Sequence, residues 1–530
     1  MNSNVSYSLG ATLLLTLSVS GVQAKGAPRP NIIIILADDL GYSDIGCFCS
    51  EIATPNIDRL AAQGMKLTQM YNAARSCPSR AGLMTGMYHH KAGVGDLGLP
   101  AYQGYLNRQC MTLAEALKRA GYATCMSGKW HLGDARPGWP YNRGFDESFA
   151  FIGGATPFFK IERASDRDED VKLVLNDRHY DPPQEGFYTT DAFSEYAAQY
   201  IESRPEQGAP FFLYVAYNAP HWPLQAWPEE IAKYRGMYDR GWDEMRRLRY
   251  ERMLKSGIIG RESLLSPRDE TVPAWDSLSD QDKGYWSELM AVYAAMIDRM
   301  DQGIGKIMAA LKKRGIVNNT LILFISDNGG CMEQAERFAD LSKYTGEMGS
   351  AESFLAYEAH WANVSNTPFR YFKHWMHEGG ISTPFVARYP KMIKAGSRSA
   401  QPAHFIDMMP TVLELAGADY PDVYNGNMLK PIDGVSLVPL FKGRNKPLHD
   451  VIYFEHFGFK AVRQGRWKLV STYPENQWAL YDISVDRSEL NDLSGRYPEK
   501  VDAMDAMYRT WAAASEVTDW EEVMKMRRRR

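Results

Sequence analysis

The sequence predicts an α/β fold: a large, mostly parallel sheet flanked by helices, then a smaller C-terminal antiparallel sheet with one helix. Three observations carry this. Short, continuously apolar runs recur before about residue 441. Each ends abruptly in polar, Gly-rich or Pro-containing residues, and helical patterns lie between them. Runs without alternation suit strands buried on both faces, and strand–helix alternation builds a parallel sheet.

The first run, Asn31 to Leu36, leads into Asp38-Asp39. A helical pattern from Thr112 to Ala120 precedes the second, Tyr122 to Met126, which leads into Gly128-Lys129-Trp130-His131. Phe211 to Tyr217 leads into Asn218-Ala219-Pro220-His221. A helical pattern from Met300 to Arg314 precedes Leu321 to Ile325, which leads into Ser326-Asp327-Asn328-Gly329-Gly330. Open sheets of this kind bind ligands at the carboxyl ends of their strands, so the four polar clusters are expected to form one composite site. Two stretches read as insertions at its rim: Thr156 to Tyr188, charged and irregular, and Trp227 to Asp280, with an Arg-rich helical part from Asp243 to Lys255. Beyond 441, Val451 to Glu455, Ala461 to Arg463, Trp467 to Ser471 and Trp478 to Asp482 read as short strands, and Pro498 to Ala514 as a helix. The expected division is 1–24 signal peptide, 28–440 main catalytic α/β domain and 441–521 C-terminal α+β subdomain.

Composition excludes some classes. Sixty basic and 64 acidic residues among 530 leave a net charge of −4, which gives no case for nucleic acid or an anionic membrane. Arg527 to Arg530 reads as a frayed, solvated tail. Leu9 to Val19 is apolar but too short to span a bilayer, and Val22-Gln23-Ala24 offers small residues for cleavage. Export, to a periplasm or outside the cell, is expected even though Met1 to Ser8 has no Lys or Arg. The cysteines at 47, 49, 77, 110, 125 and 331 form no CxxC pair or zinc pattern, and buried thiols are expected.

Asp38, Asp39, Asp327 and Asn328 offer hard oxygens and no sulfur or imidazole, which suits calcium better than zinc. An isolated Asp-Asp pair is usually a turn; a second acid–amide pair ending another strand favours a metal. Ser76 precedes Pro78, which suits the first turn of a helix, so Ser76 would lie at a helix N-terminus, where an anion is favoured. An ordinary N-cap is the alternative.

Several motifs resemble the sulfatase family of the alkaline phosphatase superfamily, and its serine-type bacterial arylsulfatases in particular. They are Asp38-Asp39-Leu40-Gly41, Ser76-Cys77-Pro78-Ser79-Arg80 with Ala81 to Gly86, Gly128 to Gly133, Pro220 to Gln225, Asp327 to Gly330, and Lys373 ahead of Glu378-Gly379-Gly380. The family pentapeptide is Cys/Ser-x-Pro-x-Arg, whose first residue is oxidised to Cα-formylglycine. Counting back from Pro78 and Arg80 places that residue at Ser76, with Cys77 in the free position. The resemblance implies one calcium ion held by Asp38, Asp39, Asp327, Asn328 and the modified Ser76. It implies a radical S-adenosylmethionine maturase as a transient partner. It also implies a geminal diol, one hydroxyl attacking sulfur and the other later expelling sulfate. Arg80 would steady the diol, Lys129 and Lys373 would clamp the sulfate, His131 would take a proton on the nucleophile side, and His221 would protonate the leaving oxygen. His89 and His90 read as supports behind the site or as structural residues, and His374 and His377 as rim contacts. Trp130 and Trp222 could stack on a substrate ring or simply pack. The expected activity is hydrolysis of sulfate monoesters, with sulfated carbohydrate favoured over aryl sulfate. The alternatives are a phosphonate or phosphoester hydrolase of the same superfamily and a non-catalytic glycan-binding relative.

Overall fold

The computed structural model describes residues 29–96, 98–161, 172–206, 208–444 and 446–529. The expected signal segment, 1–24, lies outside the described residues. The main sheet comprises β1 (Asn31–Ala37), β2 (Met65–Tyr71), β3 (Ala123–Lys129), β4 (Glu147–Phe151), β5 (Leu173–Leu175), β6 (Arg178–His179), β7 (Phe211–Ala216), β8 (Thr320–Ser326), β9 (Ser382–Arg388), β10 (Ser397–Ser399) and β11 (Ala403–His404). Its order is β10-β2-β9-β8-β1-β7-β3-β4-β5-β6, with β11 beside β2. The centre is parallel: β1 pairs with β7 and β8, and β3 with β7 and β4. β1 shows why its sequence lacks alternation. Ile33 and Ile35 enter one apolar core and Ile32, Ile34 and Leu36 the core on the opposite face.

β9 runs antiparallel to both β8 and β2. Its amino end therefore lies at the same edge as the carboxyl ends of the parallel strands. A ribbon of β12 (Val423–Tyr424) and β13 (Asn427–Met428) follows. Then comes an antiparallel sheet of β14 (Val451–His456), β15 (Phe459–Gln464), β16 (Trp467–Ser471) and β17 (Trp478–Asp482), with a helix over Pro498–Ala514. Ile452, Phe454 and Val470 of this sheet share a core with Tyr71, Ala74, Met376 and Ile381, so it buttresses the segments leading to Ser76 and away from Lys373. A buried ion cluster joins the same surfaces. Lys468 Nζ lies 2.9 Å from Glu378 Oε1 and 2.8 Å from Glu489 Oε1, and Arg487 Nη2 lies 2.8 Å from Glu378 Oε2.

Some elements differ from expectation. The helix expected at Met300 to Arg314 spans Asp280–Lys313 and starts where Ser279 Oγ accepts from Asp282 N–H. Its amino-terminal turns hold charged and polar residues, which hide the period. The helix before β3, Leu113–Arg119, has Thr112 and Glu115 in a reciprocal capping box. The stretch 156–188 is not wholly irregular, because β5 and β6 extend the main sheet beyond β4. The Arg-rich stretch forms the helix Gly241–Ser256, but its charge is not all turned to the rim. Arg249 is fully buried, with Nη1 2.7 Å from Asp44 Oδ1 and Nη2 2.7 Å from Glu51 Oε1, so it braces the loop after Asp39. Arg527 to Arg529 are exposed as expected, yet they end an ordered helix, Trp520–Arg529, that runs past residue 521.

Candidate active site

The parallel strands deliver their polar clusters to one edge. Asp38 and Asp39 follow β1, Lys129 ends β3, Asn218 and His221 follow β7, and Asp327 and Asn328 follow β8. Ser76 opens the helix Ser76–Thr85 a few residues after β2. Lys373 joins them because it precedes the antiparallel β9. The turns are tight and forced: Asp39 and His131 hold φ of 63° and 57°, a left-handed conformation rare for side chains with a Cβ. Gly128 holds φ 122°, and a Cβ there would lie 1.9 Å from Ala216 O. No side chain fits where β3 meets β7 at this height.

Ser76 Oγ accepts a hydrogen bond from Arg80 Nε at 2.9 Å and lies 3.3 Å from His131 Nδ1. Cys77 takes another direction and donates from Sγ to Asp96 Oδ1 at 2.6 Å. Arg80, fully buried, also donates from Nη2 to Asp327 Oδ2 at 2.8 Å and from Nη1 to Lys129 O at 2.9 Å. The two lysines flank the centre: Lys129 Nζ lies 2.5 Å from Asp38 Oδ2 and Lys373 Nζ 3.1 Å from Asp39 Oδ2. His221 gives Nδ1 to Trp222 O at 2.6 Å, which leaves Nε2 facing Lys373 Nζ at 3.4 Å and Asp39 Oδ2 at 3.4 Å.

The donor set fits a hard cation. Asp38, Asp39, Asp327 and Asn328 are buried together, and among the described residues Asp38 Oδ1 and Asn328 Oδ1 have no hydrogen-bond partner. Two orphaned oxygens in a charged pocket are an expensive arrangement unless a cation takes them. Asn328 Nδ2 donates to Asp39 Oδ1 at 2.6 Å, which turns its carbonyl oxygen the other way. His221 also lies within ligand range of Asp38 and Asp39, a nitrogen that the all-oxygen expectation omitted.

Electrostatics sort the titrating groups. Burial pushes both members of the Asp38–Lys129 pair toward their neutral forms. Burial also opposes ionisation of Asp39, but His221 and Lys373 overcome it and hold its pKa at about 2. Burial, with Lys129 and Arg80, depresses His131 well below the ordinary imidazole value. Burial lowers His221 to about 4 despite Asp39. Lys373 is raised in spite of burial, because Asp39, Cys331 and Glu333 surround it. At neutral pH the histidines are therefore neutral and Lys373 is charged.

The sequence reading missed Glu333. Its Oε2 lies 3.2 Å from Lys373 Nζ and accepts from Trp222 Nε1 at 3.0 Å, and its Oε1 lies 3.2 Å from Arg75 Nη1 and 3.2 Å from His374 Nε2. It lies in the loop that Asp327 opens, which was the available signal. Arg75, beside Ser76, was missed as well; its Nε donates to Asp96 Oδ2 at 3.0 Å. Trp130 is not available for stacking, since it is fully buried with Nε1 bonded to Gly138 O at 2.7 Å. Trp222 is largely buried, and its ring packs 4.6 Å from that of the exposed Phe338. His89 and His90 are structural, bonded to Val94 O and Glu455 Oε2 at 2.6 Å each. His374 pairs with Glu333, while His377 packs against Tyr371. All six cysteines are free thiols, and only Cys47 is not buried.

Residues 30–418 match the family model described as Sulfatase. The chain belongs to the sulfatase family. It is therefore a sulfuric ester hydrolase. Residues 368–510 also match the model described as N-sulphoglucosamine sulphohydrolase, C-terminal. An arylsulfatase of Klebsiella aerogenes is 36% identical over 81% of this sulfatase and 95% of its own length. An uncharacterized sulfatase of Schizosaccharomyces pombe is 36% identical over 89% and 91% of the two chains. The crystal structure of Ps i-CgsB in complex with k-i-k-neocarrahexaose is similar with a TM-score of 0.68 at 29% identity, covering 91% of this chain and 93% of that one. Among the described residues no helix is long and apolar enough to cross a membrane.

Proposed function

We propose that this sulfatase removes sulfate from carbohydrate esters, with Ser76 converted to Cα-formylglycine and one calcium ion held by Asp38, Asp39, Asp327, Asn328 and the residue at 76. The single observation that carries the reading is the position of Ser76 Oγ, at a helix N-terminus between Arg80 Nε at 2.9 Å and His131 Nδ1 at 3.3 Å. The aldehyde supplies a hydrated nucleophile for sulfur, and calcium supplies positive charge for the sulfate oxygens.

The side chains do the rest. Arg80 orients the oxygen on residue 76 and offsets its charge. Lys129 and Lys373 bind the sulfate oxygens from either side, where charge grows in the transition state. His131, held neutral, accepts a proton at Nδ1 from the hydroxyl of residue 76. His221 Nε2, left unprotonated because Nδ1–H is given to Trp222 O, takes a proton from the charged Lys373 ammonium 3.4 Å away and passes it to the departing sugar oxygen, which leaves Lys373 neutral. A phosphohydrolase with several imidazole ligands is a poorer match, because His221 is the one imidazole among the described residues that groups with Asp38 and Asp39.

Relatives support carbohydrate as the substrate. Ps i-CgsB was crystallised with neocarrahexaose, and the N-acetylglucosamine-6-O-sulfatase of Bacteroides thetaiotaomicron is 27% identical over 94% of this chain and 88% of its own. We further propose export directed by residues 1–24, maturation by a radical S-adenosylmethionine enzyme, and a division into a catalytic unit, 28–440, and an accessory unit, 441–521. Mass spectrometry of the tryptic peptide Ser76 to Arg80 from the native host tests the modification, which removes two hydrogens, about 2 Da. A fully unmodified peptide from protein that still hydrolyses esters would refute the formylglycine route. A panel of sulfated monosaccharides beside an aryl sulfate tests the substrate. Turnover of the aryl ester alone would refute carbohydrate.

A further inference from the structure

A second charged feature lies far from the catalytic centre. A cavity of about 510 Å³ opens where β10 meets the start of β2. Lys394, Arg398, Lys442 and Arg444 line it, Met65 and Phe441 contribute to its floor, and no carboxylate is among its lining residues. All four cations are exposed. Arg398 is held by the carbonyl oxygens of Ser256 and Gly257, which fix its position without neutralising its charge. Among the described residues Lys394, Lys442 and Arg444 form no ion pair, whereas Lys118, Lys306 and Lys313, equally placed at the surface, each have a carboxylate partner. Four unneutralised cations around one concavity are costly to hold together, and the chain as a whole is acidic, at −4. An anionic ligand relieves that repulsion, and the volume is that of a small-ligand site.

The placement decides what kind of anion. Ser397 pairs with Met65 at the amino end of β2, while Ser76 follows the carboxyl end at Tyr71. A seven-residue strand spans about 20 Å, so the cavity opens at the opposite edge of the sheet from the active site. A ligand in it cannot be the sulfate under attack. We propose that this cavity is an exosite for sulfated polysaccharide: it grips sulfate groups along a polymer whose other units are presented to Ser76. The proposal rests on the carbohydrate reading of the active site, and it adds a second point of attachment. Two weak contacts joined by one chain raise retention without any change in the chemistry.

The test uses the full chain. Binding of dextran sulfate, unsulfated dextran and single-stranded DNA is measured by calorimetry on protein carrying Ser76→Ala, so that turnover cannot intervene. The same titrations are made with Lys442→Glu/Arg444→Glu added. Dextran sulfate is expected to bind, weaker as salt rises, and the double reversal to weaken it at least about tenfold. Dextran is expected not to bind, and DNA to bind more weakly than dextran sulfate. In modified enzyme the double reversal should raise KM for a sulfated polymer and leave kcat/KM for a small aryl sulfate unchanged. Equal dextran sulfate affinity with and without the reversal would overturn the exosite, and so would DNA binding as tight as that of dextran sulfate. Failure of modified enzyme on every sulfated sugar strikes instead at the carbohydrate reading and leaves the binding arm to be judged alone.

Discussion

Arg80 ties Ser76 to Asp327: one guanidinium donates from Nε to Ser76 Oγ at 2.9 Å and from Nη2 to Asp327 Oδ2 at 2.8 Å. The proposed nucleophile, residue 76, and a carboxylate of the metal-capable cluster thus share one rigid fork. Lysine, a point charge on a flexible stem, cannot hold both geometries at once.

Arg80→Lys should therefore keep the fold and lose catalysis. The expected fall in kcat is on the order of 10²- to 10³-fold, the scale of losing one oriented donor. Arg80→Ala should also unfold more readily, by about 3–5 kcal/mol, because buried Asp327 loses its partner. Turnover of an aryl sulfate and urea unfolding on each variant check both parts. A lysine variant with native kcat would remove Arg80 from the chemistry.

His131, as the proposed base, should set the acid limb. A base works in its deprotonated form, so activity should fall only as pH drops through the pKa of His131. Burial, with Lys129 and Arg80, holds that pKa well below the ordinary 6.5, and a bound cation pushes the same way. The kcat profile should stay flat on the acid side through pH 6.5 and bend well below it. His131→Gln should lower kcat by roughly 10²-fold or more and abolish that bend. An acid limb centred at or above 6.5 would assign the base elsewhere.

Much of the site was legible because its residues directly follow apolar runs: Asp38-Asp39, Lys129, His221 and Asp327-Asn328 need only the strand rule and the carboxyl-edge rule. Lys373 was legible as a motif, but its strand was not. Pro384 interrupts the β9 pattern, and nothing local shows that β9 runs antiparallel, which is what brings Lys373 to the correct edge. Glu333 and Arg75 were invisible because a lone charge in a loop acquires meaning only from partners distant in sequence. Arg249 misled for the converse reason: an Arg-rich insertion reads as rim until the buried Asp44 and Glu51 are seen beside it.

Removing the proposed calcium should cost both activity and stability. The orphaned Asp38 Oδ1 and Asn328 Oδ1 give the ion purchase only in the folded chain. Binding to the native state alone stabilises by about 2.7 kcal/mol at a calcium concentration a hundredfold above the dissociation constant. A chelator should lower Tm and abolish turnover, and added calcium should restore both. Asp38→Asn should weaken calcium binding, read by calorimetry. Unchanged Tm after complete chelation would argue against the ion.

The C-terminal sheet should control the catalytic edge through Glu378. Burial opposes ionisation of this carboxyl, but Lys468 and Arg487 hold its pKa well below the usual 4.5. A depressed carboxylate contributes stability that is present above its unfolded pKa and lost as pH falls through its folded value. Glu489, raised to about 7 by burial, works in the other direction, its contribution fading as pH rises through 7. Glu378→Gln strands Lys468 and Arg487 and should cost about 3–5 kcal/mol near pH 6. The gap between wild type and variant should narrow as pH falls below about 4, because the unfolded wild-type chain then takes up a proton at Glu378 that the folded chain, with Lys468 and Arg487 beside it, does not. Lys373 lies five residues upstream on the buttressed segment, so kcat/KM should fall in the variant even at temperatures where it remains folded. Urea midpoints measured from pH 2 to 8, beside turnover, check all three. If the gap is constant across that range, the charge of Glu378 is not what joins the sheet to the site.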